Sequence, residues 1–351
     1  MNGHGGSSNG LGLADMRPSE AFYPNHSGTE SSGPSSSAGV PATNGFTQVP
    51  THFQLHNEAI VNHLYHAGFQ TGNYADSILH VHQNAYRLHA IILSRSPLLA
   101  HLMSTSPQSG GMRNIHVPLE HEPEVSSEGF AIALGYLYSP VSLNLVHPEN
   151  ARTVLAAACL LGGMDELCTY AYEICRSSIS VDNISEWLEF VEAIPTLSDG
   201  SSTPVEPQHL APPRTAVFGP YAERLKNDVF NYLVVTLPTM LNINGLSSPV
   251  TPQSDGQQPA DAGRDTLLQV FSRVPFDLFK AAIESPTFQI GSVQARFKFA
   301  KDAIEARKRG IGRVQGAEET VVLAFGANSL GGSAVHVTRK IRKRQLWKVN
   351  S

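Results

Sequence analysis

Charge is scarce in this sequence. Asp, Glu, Lys and Arg make up 16% of its 351 residues and leave a formal net charge of -5, so the chain as a whole offers no broad attraction to nucleic acid or to an anionic membrane. Cysteine is scarcer still. Cys159, Cys168 and Cys175 are the only three, and an odd number within one helical-looking stretch argues against a disulfide framework and for a reducing compartment. Long apolar runs are missing as well. The most apolar stretch, ARTVLAAACLLGGM, is too short to span a bilayer and ends in Gly-Gly. The amino-terminal MNGHGGSSNGLGLADM has neither the basic start nor the apolar core of a secretory signal. These absences predict an intracellular protein of the cytoplasm or nucleus with no membrane span.

Signatures of catalysis are missing too. There is no GxxxxGKS or GxxxxGKT loop, and neither a GxSxG nucleophile elbow nor a GxGxxG stands between a strand and a helix. GANSLGGS has glycines but neither a following helix nor a lysine placed for phosphate, so it reads as a turn. Cys168 and Cys175 stand seven apart, which is core spacing on a helix, and buried thiols of that kind are usually inert. Glu189 and Glu192 read as a solvated helix edge. The expectation is a protein that is not an enzyme and has no cofactor.

What is present falls into blocks. Residues 1 to about 50 are rich in Gly, Ser, Pro and Asn and poor in aliphatics. They cannot bury enough apolar surface to offset the entropy of ordering and read as disordered. PTLSDGSSTPVEPQHLAPP and SSPVTPQSDGQQPADAG repeat that composition, predicting loops near 195–215 and 245–264. Between them the apolar residues fall into periodic patterns. LHNEAIVNHLYHAGF places Ile60, Leu64 and Ala67 on one helical face, with Leu55 and Val61 at its margin. In SILHVH, Leu79 and Val81 share one face of a strand, while His80 and His82 take the other. QNA reads as a tight turn and AYRLH as the returning strand. AIILSRSPLLAHLM reads as two short helices broken at Ser96-Pro97, and RNIHVPL as a third strand.

Helices dominate from there. SSEGFAIALGYLYS carries the stripe Phe130, Leu134 and Leu137, with Ser126 or Ser127 as N-cap. HPENARTVLAAACLLGG has Pro148 at a helix start and Gly162 at its stop. MDELCTYAYEICRSSI continues with Leu167, Ala171, Ile174 and Cys175.

Hairpin, two short helices, strand and three helices, with YADSILHV, YRLHAIILSRSP, LGYLYS and LAAACLLGGMDELCTYAYEIC as they stand here, resemble a BTB/POZ domain over residues 72–179. With the helix before the hairpin, the domain is expected over 52–180. The resemblance implies an α+β fold in which a small sheet is surrounded by helices. It implies that Asp76 and His89 are a structural pair holding strand and helix together. It implies self-association through Leu55, Ile60, Leu64, Phe69 and Ile78, and contact with a cullin through Leu98, Leu99, Leu102 and Met103. Relatives often carry an acidic residue after that short helix, where this chain has STSPQSGG. His80 and His82 would be polar sheet-face residues, because no Cys pair or HExxH motif stands beside them to complete a metal site.

Residues 183–310 read as further helices: Ile184, Trp187, Leu188 and Val191 on one; Leu225, Val229 and Tyr232 on the next; VPFDLFKAAIES; and a last helix with Val293, Phe297, Ala300 and Ile304, capped by Ser292 and ended by Gly310. This array is similar to a BACK-like region, and the whole is similar to fungal BTB proteins related to the germ cell-less group. Over 318–351, TVVLAFG and AVHVT read as short strands, followed by a basic tail. In that tail, Arg339, Lys340, Arg342, Lys343 and Arg344 are either solvated charge or a nuclear import signal. No zinc finger accompanies them, and sequence-specific nucleic-acid binding is not expected. The resulting expectation is a homodimeric adaptor, in a ubiquitin ligase complex, for an unknown substrate protein. The alternative is a nuclear scaffold or transcription-linked factor that joins BTB dimerisation to the basic tail.

Overall fold

The computed structural model describes residues 51–106, 108–109, 111–195, 213–243, 260–311, 317–325 and 335–343. The expected disordered amino terminus, most of both expected loops and Arg344 lie outside the described residues. The chain divides into two compact units. One holds residues up to Arg95 with Leu99–Val117 and Leu137–Pro140; the other holds Ser96–Leu98, Pro118–Tyr136 and the chain from Val141 onward.

The first unit opens with helix α1 (His52–His63), whose N-cap Thr51 and residue Gln54 form a reciprocal capping box. At Leu64 the backbone widens into a π-helical segment that runs to Gln70. The wider turn rotates the apolar stripe. Tyr65, Gly68 and Phe69 are buried, while Leu64 and Ala67 are only half-buried and Ile60 is exposed. The expected Ile60–Leu64–Ala67 face is therefore divided, because the 3.6-residue period ends at Leu64.

Strands β1 (Ser77–Val81) and β2 (Asn84–Leu88) pair antiparallel. The register Val81↔Asn84 leaves only His82 and Gln83 for the turn, so the tight turn lies one residue earlier than QNA suggests. Its left-handed residue is His82, at φ 50°, where Asn or Gly is the usual choice. Helices α2 (Ala90–Leu93) and α3 (Pro97–Thr105) follow, broken where Ser96-Pro97 requires. The two-residue strand β3 (Gln108–Ser109) pairs with β4 (Met112–Val117), which runs parallel to β1, giving the sheet order β2-β1-β4-β3. Alternation buries Leu79, Val81, Tyr86, Leu88, Ile115 and Val117 and turns His80 and His116 outward.

The second unit is mostly helical. In α4 (Ser127–Tyr138), Ser126 caps the start by accepting the Gly129 N–H at 3.0 Å. A Cβ at Gly129 would stand 2.6 Å from the Thr153 backbone, so only glycine permits this approach. Helix α5 (Ala151–Leu161) begins at Asn150 rather than at Pro148, because the Asn150 side chain accepts the His147 N–H at 2.8 Å and holds the intervening residues in a turn. It stops at Gly162, φ 70°. The buried Ser96 hydroxyl donates to the Leu161 carbonyl at 2.5 Å, satisfying one acceptor left open by the helix end.

Helices α6 (Asp165–Ser178), α7 (Ile184–Glu192) and α8 (Pro220–Asn231) bury the stripes expected of them, except that Ile174 is half-buried while Cys168 and Tyr172 are covered. A second π-helical segment, Tyr232–Thr236, leads into the short α9 (Leu237–Met240). Helix α10 (Ala260–Arg273) starts inside the expected 245–264 loop. Gly263, which looks like a breaker, is there for close packing: a Cβ on it would meet the Leu241 carbonyl oxygen at 2.7 Å. Helices α11 (Phe276–Glu284) and α12 (Val293–Ile311) complete the array, Ser292 capping α12, which continues past Gly310. Phe271, Phe279, Phe288 and Phe299 form its aromatic core.

Strands β5 (Ala317–Phe325) and β6 (Val335–Lys343) close the chain as an antiparallel pair of nine residues each. They are longer than expected, and β6 takes in Arg339, Lys340, Arg342 and Lys343. That part of the basic run is strand rather than free tail.

Candidate interaction surfaces

Asp76, His89 and Tyr138 meet at the start of α2. The Asp76 carboxylate accepts the Ala90 N–H at 2.7 Å and the Ser77 hydroxyl at 2.9 Å. It thereby satisfies one of the free amides of the helix start with a negative group. The His89 imidazole spans two partners. Its Nε2 lies 2.8 Å from the Asn73 carbonyl oxygen, which can only accept, so Nε2 carries the proton. Nδ1 is then an acceptor for the Tyr138 hydroxyl at 3.0 Å, and the same hydroxyl accepts the His89 backbone N–H at 2.9 Å. Burial pushes the Tyr138 hydroxyl far above its ordinary pKa, which keeps it a donor. Asp76 and His89 do not bond each other; each ties the α2 start to the Asn73–Ser77 segment separately. Tyr138, the third member, gave no sign in the sequence beyond its place in LGYLYS.

The self-association set separates by exposure. Leu55 and Ile60 are 51% and 46% exposed on α1, beside Phe53 at 83%, and no residue of α1 is buried. Leu64 and Ile78 are half-buried, Ile78 in β1 between Arg87 and Asn114. Phe69 is buried, its ring 5.4 Å from that of Tyr138 and 5.6 Å from that of Tyr65. Phe69 thus faces its own unit, leaving Phe53, Leu55 and Ile60 as the outward apolar group. Phe53 follows directly on Thr51-His52, and no heptad-like spacing marks it out.

The cullin set separates in the same way. Leu99 and Met103 are buried, whereas Leu98 and Leu102 are half-buried next to the exposed His101. His80 and His116, opposite each other in the register, stack with centroids 4.6 Å apart at 12°, while His82 sits in the turn. Among the described residues no group of three or more His, Cys, Asp or Glu side chains converges to hold a metal ion. No described helix is long and apolar enough to cross a membrane.

A buried carboxylate lies in the second unit. Glu124 is 3.4 Å from Arg152 and 3.3 Å from Arg214, and the Arg152 guanidinium lies 5.8 Å from the Trp187 ring and 5.7 Å from that of Phe190. The two guanidinium groups offset the charge of the buried carboxylate and tie the turn before α4 to α5 and to the segment before α8.

Comparison with known proteins adds one relative. The chain is 26% identical over 299 residues to BTB/POZ domain-containing protein 2 of Schizosaccharomyces pombe, covering 84% of this chain and 92% of that protein. No protein-family model matches the chain.

Proposed function

We propose that this chain, 26% identical over 84% of its length to a BTB/POZ domain-containing protein, is a non-enzymatic adaptor that pairs with a second copy of itself through α1. The observation that carries this reading is the outward group Phe53, Leu55 and Ile60 on a helix without one buried side chain. Fully covering an exposed apolar side chain of this size is worth about 1.5–3 kcal/mol, and Leu55 and Ile60, about half covered already, would contribute about half of that. In this reading Asp76 and His89 hold the α2 start in place and contact no partner. Cullin docking is part of the same proposal and would use Leu98 and Leu102, since Leu99 and Met103 are spent on the core. The helices from α7 onward, similar to a BACK region, would hold the substrate. The nuclear-scaffold alternative would use Arg339–Lys343, which lie on strand β6.

Sedimentation velocity on the full chain tests the core of the proposal. The wild type is expected at twice the monomer mass, and Phe53→Ser/Leu55→Ser/Ile60→Ser at the monomer mass with unaltered thermal unfolding. A wild type that is monomeric at micromolar concentration overturns it. For the cullin half, a cullin recovered with the tagged wild type and lost with Leu98→Asp/Leu102→Asp is the expected result; recovery from neither excludes it.

A further inference from the structure

All three cysteines are free thiols, and two of them touch. Cys159, near the end of α5, and Cys168, in the first turn of α6, lie with their Sγ atoms 3.9 Å apart. The two helices are joined only by Gly162, Gly163 and Met164, with both glycines at φ 70°, so the connection is a tight one that fixes the helix ends side by side. Cys159 Sγ is also 3.9 Å from the Phe218 carbonyl oxygen. Cys175, one heptad further along α6, is buried and has no sulfur partner.

We propose that Cys159 and Cys168 are a redox-active dithiol that closes to an intramolecular disulfide when the protein meets a peroxide. A disulfide is about 2.05 Å long, so the two sulfurs, already in contact, must approach by roughly 2 Å.

The two sulfurs are not equivalent. Cys168 stands where the free amides of the α6 start favour an anion, and the hydrogen bond from Cys159 lowers its pKa, against the opposing effects of burial and Asp165. The contact with Cys168 and burial raise the Cys159 pKa, so Cys159 is the poorer nucleophile of the two. Burial pushes Cys175 up to about 12, leaving it a poor nucleophile. Access is on the Cys159 side, which is half-buried, whereas Cys168 is only 6% exposed; the oxidant must therefore be small.

The chemistry closes without further reagents. The Cys168 thiolate attacks one peroxide oxygen, the O–O bond breaks, and the departing hydroxide takes a proton to become water. Cys168 is now a sulfenic acid. The Cys159 sulfur attacks the Cys168 sulfur, the S–S bond forms, and the S–O bond breaks. The hydroxyl leaves as a second water with the proton of Cys159. Two thiols are oxidised by two electrons, and one peroxide is reduced to two waters. Closing the bond draws Cys159 Sγ off the Phe218 carbonyl.

The test uses the full chain, reduced and desalted, then treated with a few equivalents of hydrogen peroxide. Thiols titrated after denaturation should fall from three to one. Peptide mapping should find Cys159 linked to Cys168 with Cys175 free, and dithiothreitol should restore all three. In Cys159→Ser the sulfenic acid on Cys168 should persist and be trapped by a 1,3-dione. Cys175→Ser, which touches neither sulfur, should still form the link. Three thiols remaining at doses that oxidise free cysteine, a link that includes Cys175, or links only between molecules would each overturn the proposal.

Discussion

The His89 imidazole is held in one tautomer by its neighbours: Nε2 faces a carbonyl that cannot donate, and Nδ1 faces a hydroxyl that already accepts the His89 amide. The Tyr138 oxygen therefore serves two groups of one residue. Tyr138→Phe keeps the ring packed against Phe69 and strands both the His89 N–H and Nδ1. A loss of about 1–3 kcal/mol is expected, read as a lower urea midpoint at an unchanged slope; stability within experimental error of the wild type would mean that water replaces the hydroxyl. Asp76 and His89 drew attention in the sequence through their place in YADSILHV and YRLHAIIL. Tyr138 was not, because a tyrosine at the end of an apolar helix looks like ordinary core until the residue 49 positions earlier is brought to it. The left-handed His82 was hidden for a related reason: neighbouring Asn84 carries the usual turn signal, and only the strand register decides between them.

At the scale of elements, periodicity located most of the helices and failed where the period changes. Trp187, Leu188 and Val191 on α7, and Leu225 and Val229 on α8, are buried as their spacing requires. The π-helical segment after α1 has no sequence mark, since one extra residue per turn is a local choice made by packing. Helix α10 was read in part as loop because PADAG looks like linker, although its Gly263 answers to a carbonyl of Leu241. Nor did the basic composition of α12 single out Arg307, which is buried, donates to the Phe271 and Val274 carbonyls at the end of α10, and lies 5.0 Å over the Phe279 ring. A planar guanidinium can serve two carbonyls and a ring face together; a lysine ammonium cannot. Arg307→Lys should cost about 2 kcal/mol, measured by chemical denaturation, and Arg307→Met more. Equal stability of Arg307→Lys and wild type would show that charge alone matters there.

For the whole molecule, the α+β class with a small sheet and a large helical remainder was readable from the order of patterns, and the relative in Schizosaccharomyces pombe matches along most of both chains. What such patterns do not report is which apolar residues stay outside. Leu99 and Met103 look like Leu98 and Leu102 in a list of aliphatics, and only the direction of α3 divides them. The same holds for α1, and there the consequence reaches beyond any one contact. A helix of 12 residues with no buried side chain is marginal in water, so little besides its capping box and the covalent continuation into Leu64–Gln70 keeps it wound. Its order is then tied by mass action to whatever covers Phe53, Leu55 and Ile60. Dilution should unwind α1 as the pair separates, so that far-ultraviolet helicity per residue falls with concentration in the wild type and stays low and flat in Phe53→Ser/Leu55→Ser/Ile60→Ser. Concentration-independent helicity in the wild type would mean that the helix stands on its own. Where the coupling holds, the amount of protein in the cell decides how much of it has the surface it needs, and abundance itself becomes the signal that the fold reads.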